Sequence, residues 1–131
     1  YVLVVRADAP EARLPAIGWA DLGALPLCLL TPDMQNRRII GDQLAQAGVT
    51  VSPGIESNST IVLVSHVLQG GWATILAHKA ADVFLAGGGL AAVPITAPDA
   101  RHAVGLIAPW REPHTPVIAA LLAEARRMAE E

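Results

Sequence analysis

The chain alternates short apolar runs with segments whose apolar residues recur at helical spacing. The apolar runs predict strands at 1–5, 26–30, 49–55, 72–77, 90–95 and 103–110. The spaced segments predict helices at about 34–47, 58–69, 78–84 and 115–130, with a short helical turn around Trp19–Leu22. Strands that alternate with helices through short connections are typical of an α/β fold with a mostly parallel sheet.

Residues that commonly begin or end helices mark several of these boundaries. Asp33 is the predicted N-cap of the first long helix, and Gly48 follows that helix at the C′ position. Thr115 and Pro116 are the predicted N-cap and first residue of the last helix. Residues 58–69 are rich in β-branched side chains, but the polar residues in front of them and the two glycines behind favour a helix.

The stretch IESNSTIVLVSHVLQGG places a polar cluster where a strand passes into that helix. Ser57, Asn58 and Ser59 would stand beside unpaired backbone N–H groups at the positive end of the helix, an arrangement suited to an anion. Thr31 and Pro32 form a second polar turn after the strand 26–30. In open α/β sheets ligands bind beyond the carboxyl ends of strands, so the two turns predict a small-molecule site. The alternative is that these side chains only cap the helix.

Composition narrows the class of protein. The 131 residues are 53% hydrophobic and 16% charged with a net charge of −3, which predicts one domain with a substantial core. No basic face indicates nucleic-acid binding by this segment. The lone Cys28 lies in an apolar run, which predicts a buried small hydrophobe and fits a reducing cytoplasm. No apolar run approaches the ~20 residues that span a bilayer.

The sequence offers no assembled set of catalytic groups. The four histidines do not stand at metal-ligand spacings, and no nucleophile elbow is present. The glycines 87–89 lack the Lys-Ser or Lys-Thr ending of a phosphate loop. We therefore expect no enzyme activity, no cofactor and no metal.

The order of segments resembles the LysR-type transcriptional regulators. The segments are YVLVVRADAPEARL, WADLGALPLCLL, IIGDQLAQAGV, IESNSTIVLVSHVLQGGWATIL, LAAVPI and HTPVIAALLAEARR. The resemblance covers the second half of the family's effector-binding domain and implies a type 2 periplasmic-binding-protein fold. It implies a second subdomain at about 1–108 and a C-terminal helix at about 115–130. It further implies that the first subdomain and the DNA-binding winged helix-turn-helix domain are absent from this segment.

The resemblance places both polar turns at the effector cleft. It also matches Gly70 to the glycine that follows the helix in the family. Trp72 stands where the family commonly has a second glycine, and Ala77 stands where proline is usual. The resemblance therefore implies that Gly70 and Trp72 belong to the site and that Trp72 fills or reshapes the cleft floor.

The function implied is a cytoplasmic ligand-sensing module of a bacterial transcription factor. Its partners would be a small organic acid or another anion, DNA through the absent N-terminal domain, and no membrane. A homo-oligomer is expected, with self-association through the last helix at Ile118, Leu121 and Leu122 or through an edge strand. The alternative is half of a periplasmic-type solute-binding protein.

Overall fold

The computed structural model describes residues 1–96, 105–110 and 112–129. The chain divides into two units, Tyr1–Ala100 and Arg101–Glu131. The strands are β1 (Val2–Arg6), β2 (Ile17–Gly18), β3 (Cys28–Leu30), β4 (Ile55–Ser57), β5 (Thr74–Leu76) and β6 (Leu90–Thr96). The helices are α1 (Gln35–Gln46), α2 (Thr60–Gln69), α3 (His78–Leu85) and α4 (Pro116–Ala129), with 3₁₀ turns at Pro10–Arg13 and Trp19–Ala24.

The sheet of the first unit runs in the order β2-β6-β1-β5, and β3 pairs with β4 beside it. A parallel bridge between Leu27 and Ala73 connects β3 to β5. β1 is antiparallel to both β5 and β6, whereas the other described pairings are parallel. Of the described strands, β1 alone therefore runs against the rest. The predicted α/β class is confirmed, and the sheet is mixed because of this one reversed strand.

Alternation along the strands separates two apolar cores. In β1, Leu3 and Val5 face one core, and Val2 and Val4 face the other. The first core also contains Trp19, Leu29, Ile40 and Leu44, so α1 covers that face. The second contains Leu63, Val67 and Ala81, so α2 and α3 cover the other face. Burial of each Val or Leu side chain stabilises the fold by about 1.5–3 kcal/mol. The two cores thereby fix the amino ends of α1, α2 and α3 at one edge of the sheet.

Helices form close to the predicted positions. Gly48 follows α1 with a φ of 75°, the left-handed conformation that favours glycine after a helix. Asp33 is not the N-cap of α1, because Met34 takes that position and no side chain caps the helix. The cause is a tight turn, in which the Met34 N–H donates to the Thr31 carbonyl at 3.0 Å and delays the helix.

The predicted strand at 49–55 is wrong over most of its length. The segment 49–54 forms no strand, and the ladder with β3 begins only at Ile55. Pro53 has no N–H to donate to a ladder. Val49 and Val51 instead pack half-buried against the α1 core, so burial rather than strand pairing explains their apolar pattern.

The predicted strand at 103–110 is also wrong where it can be tested. Residues 105–110 have no strand, while 103 and 104 lie outside the described residues. Ile107 and Trp110 are fully exposed. No described strand pairs with this segment, and Pro109 cannot donate to one, so the apolar run lacks the partner that would make it a strand. The short β2 was missed because two residues are too few to show alternation.

In the second unit α4 begins as predicted. The Ile118 N–H donates to Thr115 Oγ1 at 3.5 Å, and Pro116 is the first helical residue. Ile118 and Leu122 line a shallow apolar cavity with neighbouring residues of the same unit, and Leu121 is 55% exposed. Among the described helices, none is both long enough and apolar enough to cross a membrane.

Candidate functional site

The two predicted polar turns lie side by side at the carboxyl edge, the sheet edge where β2 to β6 end. Leu30 pairs with Ser57 in the parallel ladder between β3 and β4. One residue further on, the Thr31 N–H donates to the Ser57 carbonyl at 3.2 Å. The parallel sheet thus brings together residues that are far apart in sequence, as the strand pattern predicted.

The hydroxyl of Thr31 is buried and unsatisfied. Its Oγ1 has no hydrogen-bond partner among the described residues, although it is out of contact with solvent. An unpaired buried polar group costs about 1–3 kcal/mol, so the site gains from any ligand or water that pairs with it. Pro32, next in the chain, is exposed at the tip of the same turn.

The amino end of α2 faces the same edge and is left uncapped by side chains. Ser59 is the N-cap residue, but its side chain makes no capping hydrogen bond. Ser57 Oγ accepts the Ser59 N–H at 3.1 Å, which fixes the turn rather than the helix. The first bond within the helix runs from the Leu63 N–H to the Ser59 carbonyl at 3.2 Å. The preceding amides of 60–62 therefore remain free at the positive end of the helix, where they suit an anion.

Asn58 lies between these two serines and is exposed. Its amide side chain can donate or accept, so it adds an adaptable group to the edge. The interpretation of this cluster as helix caps alone is not supported, since no side chain caps α2.

One ion pair lies beside the site. Arg37, in the first turn of α1, places an Nη atom 3.9 Å from the carboxylate of Glu56 in β4. Arg37 Nε is buried without a partner, and the Arg37 side chain is only 16% exposed. The two opposite charges largely offset each other, so the neutral donors carry most of the attraction for an anion at this edge.

Two residues that sequence reasoning missed also reach the carboxyl edge. Val2 pairs with both Leu76 and Pro94, so Tyr1 lies where β5 and β6 end. The Tyr1 hydroxyl donates to Asn36 Oδ1 at 3.2 Å, and burial raises the pKa of this phenol. His78 follows β5 after one residue, Ala77, and begins α3. Its position shortly after a strand was the available signal, whereas the sequence reasoning weighed it only as a metal ligand.

Gly70 and Trp72 lie at the opposite, amino edge of the sheet. α2 starts at the carboxyl edge and runs back across the sheet, and the chain then enters β5 from its amino end. The structure therefore does not bring these two residues together with Thr31 and Ser57. Trp72 does not form a floor for the carboxyl-edge site.

Two glycines accommodate the indole of Trp72. A Cβ atom at Gly54 would lie 2.4 Å from Trp72 Cη2, and one at Gly70 would lie 3.0 Å from Trp72 Cδ1. Neither distance allows a larger side chain without movement of the ring. Trp72 is thus a packing residue of the amino edge.

A cavity of about 360 Å³ also lies at the amino edge, between Trp72 and the segment that follows β1. Its lining is mainly apolar, and the Arg6 guanidinium is paired with the Asp8 carboxylate at 2.8 Å. The turn around Thr31 instead offers an unpaired hydroxyl and the uncapped amino end of α2. We place the candidate site at the carboxyl edge because recognition of a small polar ligand depends on such donors.

Other reactive groups add nothing to the site. Cys28 is buried, and burial raises the pKa of its thiol, as expected of a small core residue. Among the described residues no group of three or more His, Cys, Asp or Glu side chains could hold a metal ion.

Comparison with known proteins defines the class. The family model described as LysR substrate binding domain matches residues 1–130. No curated protein sequence matches this chain.

Solved structures share the fold. The effector-binding domain of QuiR in complex with shikimate superposes with a TM-score of 0.66 at 18% identity, over 82% of this chain and 54% of that one. HinK, a LysR family transcriptional regulator from Pseudomonas aeruginosa, gives 0.60 at 15% identity, over 74% of this chain and 33% of that one. The reduced OxyR regulatory domain from Pseudomonas aeruginosa gives 0.59 at 24% identity, over 74% and 46%. This chain spans a third to about a half of these three proteins.

The layered α/β sheet and the family match define a fold of the periplasmic-binding-protein class. The chain belongs to the LysR substrate-binding domain family.

Proposed function

We propose that this chain is the second subdomain of the effector-binding domain of a LysR-type transcriptional regulator. The domain assignment is the one implied by the sequence, with the subdomain at about 1–108 and a final helix at about 115–130. It is supported by the family match and by the chain's span of 54% of the QuiR effector-binding domain. In a regulator of this kind the DNA-binding domain and the first subdomain belong to other parts of the protein, and the cellular location is the cytoplasm.

The ligand is a small organic acid or a similar anion, bound at the carboxyl edge. The observation that carries this proposal is the unpaired, buried Oγ1 of Thr31 beside the uncapped amino end of α2. The site residues are Thr31, Pro32, Ser57, Asn58 and Ser59. Gly70 and Trp72 have a structural role at the other edge. Shikimate, the carboxylate in the QuiR complex, is a suitable first compound to test.

The role is binding and signalling rather than catalysis. A ligand held between two subdomains favours one relative orientation of them and shifts the population of regulator conformations only as far as its affinities for those conformations differ. We propose a homo-oligomer, since α4 exposes Val117, Leu121 and Met128 as large apolar side chains.

The test is a binding screen by calorimetry and thermal shift. Small organic acids, shikimate included, should bind and raise the melting temperature, and their neutral amides should not. Thr31→Val should weaken binding, and in a reporter-gene assay with the whole regulator it should remove the response to the acid. Binding of sugars or cations in place of acids, unaffected by Thr31→Val, would contradict the proposal.

The alternative that the sequence left open, half of a periplasmic-type solute-binding protein, is disfavoured by the match to the LysR substrate-binding domain. Its lobes have the same fold, so the two functions are separated by the reporter assay. Ligand binding without any ligand-dependent transcription would favour that alternative.

A further inference from the structure

We propose that His78 is a specificity-determining residue of the carboxyl-edge site, whose protonated imidazole contacts the anionic group of the ligand. Affinity for a carboxylate then falls as pH rises through the His78 titration. The inference rests on the proposed function, because it takes the ligand at this edge to be an anion.

The register of the sheet places His78 beside Thr31. Leu27 pairs with Ala73 in the parallel bridge between β3 and β5. Continuing both strands by four residues puts Thr31 level with Ala77. β3 and β5 pair at this bridge alone among the described residues, but they remain neighbours beyond it. Thr31 and the residue after Ala77 therefore follow neighbouring strands at the same edge, within the span of one small ligand. The side chain of Ala77 is only a methyl group, so it leaves the space between Thr31 and His78 open.

The environment of the His78 side chain suits a ligand contact. The side chain is 67% exposed, and Nδ1 lies 3.4 Å from the Asp82 carboxylate one helical turn later. Asp82 thereby orients the ring, and Nε2 of the protonated imidazole can donate to a second acceptor. The positive end of α3 opposes a cation at this position. A bound anion offsets that repulsion, which links ligand binding to protonation.

Few other charges compete at this position. Among the elements that pack against α3, β6 has no charged residue, and β1 has only Arg6, which lies at the opposite edge. The titratable residue of α2 is His66, in the half of that helix that lies away from the carboxyl edge. On α3 itself Lys79 follows His78, and Asp33 is exposed in the turn after Thr31. Because Lys79 and Asp33 have opposite charges, their effects on His78 largely cancel. Asp82 is therefore the main competitor of a ligand carboxylate for the His78 imidazole.

The experiment uses sodium benzoate as the probe and benzamide as its neutral counterpart, each titrated into the 131-residue chain. Nuclear magnetic resonance follows the imidazole of His78 across a range from about pH 5 to about pH 9, which brackets the usual histidine titration, and the backbone amides of residues 60–62. Benzoate should move the midpoint of the His78 titration to higher pH, and benzamide should not. His66, which is exposed on α2 away from this edge, is the internal control and should be unaffected by either compound.

A variant gives the second measurement. His78→Gln retains a donor but has no charge, so at about pH 5.5 it should bind benzoate about two- to fivefold more weakly than the parent chain, the range expected of an exposed ion pair. At about pH 8, where histidine is neutral, the two proteins should bind equally. The amides of 60–62 should still shift with benzoate in the variant.

The two proposals fail in different ways. If benzoate shifts the amides of 60–62 but leaves the His78 titration unchanged, the inference about His78 is wrong and the anion site stands. If neither the amides nor His78 respond, the anion site itself is wrong and the inference falls with it.

Discussion

The carboxyl and amino edges of the same sheet differ in side-chain packing and in hydrogen bonding. At the amino edge the indole of Trp72 packs against Gly54 and Gly70 so closely that neither glycine could gain a side chain without movement of the ring. At the carboxyl edge the hydroxyl of Thr31 is buried without a partner among the described residues, and α2 begins without a side-chain cap. Packing is tight where Trp72 meets Gly54 and Gly70 at the amino edge, and hydrogen bonding is incomplete at Thr31 and α2 at the carboxyl edge.

This difference separates stability from binding. Apolar contacts at the amino edge stabilise the fold directly, so changes there should lower the free energy of unfolding. The buried, unpaired hydroxyl of Thr31 costs free energy until a partner hydrogen-bonds to it. Changes there can therefore stabilise the free protein and weaken ligand binding together.

The largest effect is expected from Gly54→Ala. The new Cβ would lie 2.4 Å from the edge of the Trp72 ring, so the ring must move and the free energy of unfolding should fall by about 2–3 kcal/mol. Gly71→Ala is the matched control, because a Cβ added there would have nothing within 4 Å. Chemical denaturation of both variants measures the difference.

Trp72→Leu tests whether contact with the Trp72 ring causes the loss of stability in Gly54→Ala. In a double-mutant cycle the smaller side chain should recover at least half of the loss from Gly54→Ala. Full additivity of the two substitutions would show that the contact with Trp72 is not what restricts residue 54.

Thr31→Val should have opposite effects on the stability of the free protein and on ligand binding. Valine has the shape of threonine but lacks the unpaired hydroxyl, so the free protein should be unchanged or up to about 1 kcal/mol more stable. Binding of an organic acid should weaken about tenfold, which corresponds to the loss of one buried hydrogen bond. Thr50→Val, at an exposed position away from the edge, is the control for binding. A Thr31→Val protein that is less stable but binds normally would assign Thr31 a purely structural role.

Ser59→Asp should produce the next smaller change. A carboxylate at the N-cap supplies the missing cap and a favourable interaction with the helix dipole, worth about 0.5–1 kcal/mol of stability. The same negative charge should repel an anionic ligand, and thermal unfolding with and without the acid measures both effects. Ser52→Asp, in an exposed loop segment, should change neither quantity. Equal ligand affinity in Ser59→Asp and the parent chain would place the anion elsewhere.

The smallest effect concerns the ion pair at the amino edge. The hydrogen bond from Arg6 lowers the pKa of Asp8 in the folded chain. A lowered folded pKa contributes stability above the unfolded value, and that contribution is lost as pH falls through the folded value. Both side chains are exposed, so Asp8→Asn should alter the melting temperature only slightly, and that difference should vanish once the pH falls below the lowered pKa of Asp8. If the melting temperatures of Asp8→Asn and the parent chain differed more in acid than at neutral pH, the pKa of Asp8 would not be lowered by folding.

Much of this arrangement could be predicted from the sequence. The strand pattern predicted that the turns at Thr31 and Ser57 lie at one edge of the sheet, because the carboxyl ends of parallel strands lie at the same edge. The sequence did not show that Trp72 lies at the other edge, since that depends on the direction in which α2 crosses the sheet. The segment 49–54 was misassigned because half-buried Val49 and Val51 have the apolar pattern of a strand without its hydrogen bonds. The proposed role of His78 did not follow from the sequence, because it depends on β5 lying beside β3, which no local pattern shows.

The most direct test of the central claim is an amide chemical-shift map of the chain titrated with shikimate. We predict that the largest shifts fall on Thr31 and on residues 60–62, with Gly70–Ala73 unchanged. Shifts centred on Gly70–Ala73, with Thr31 and 60–62 unaffected, would contradict the account and place the ligand in the amino-edge cavity beside Trp72.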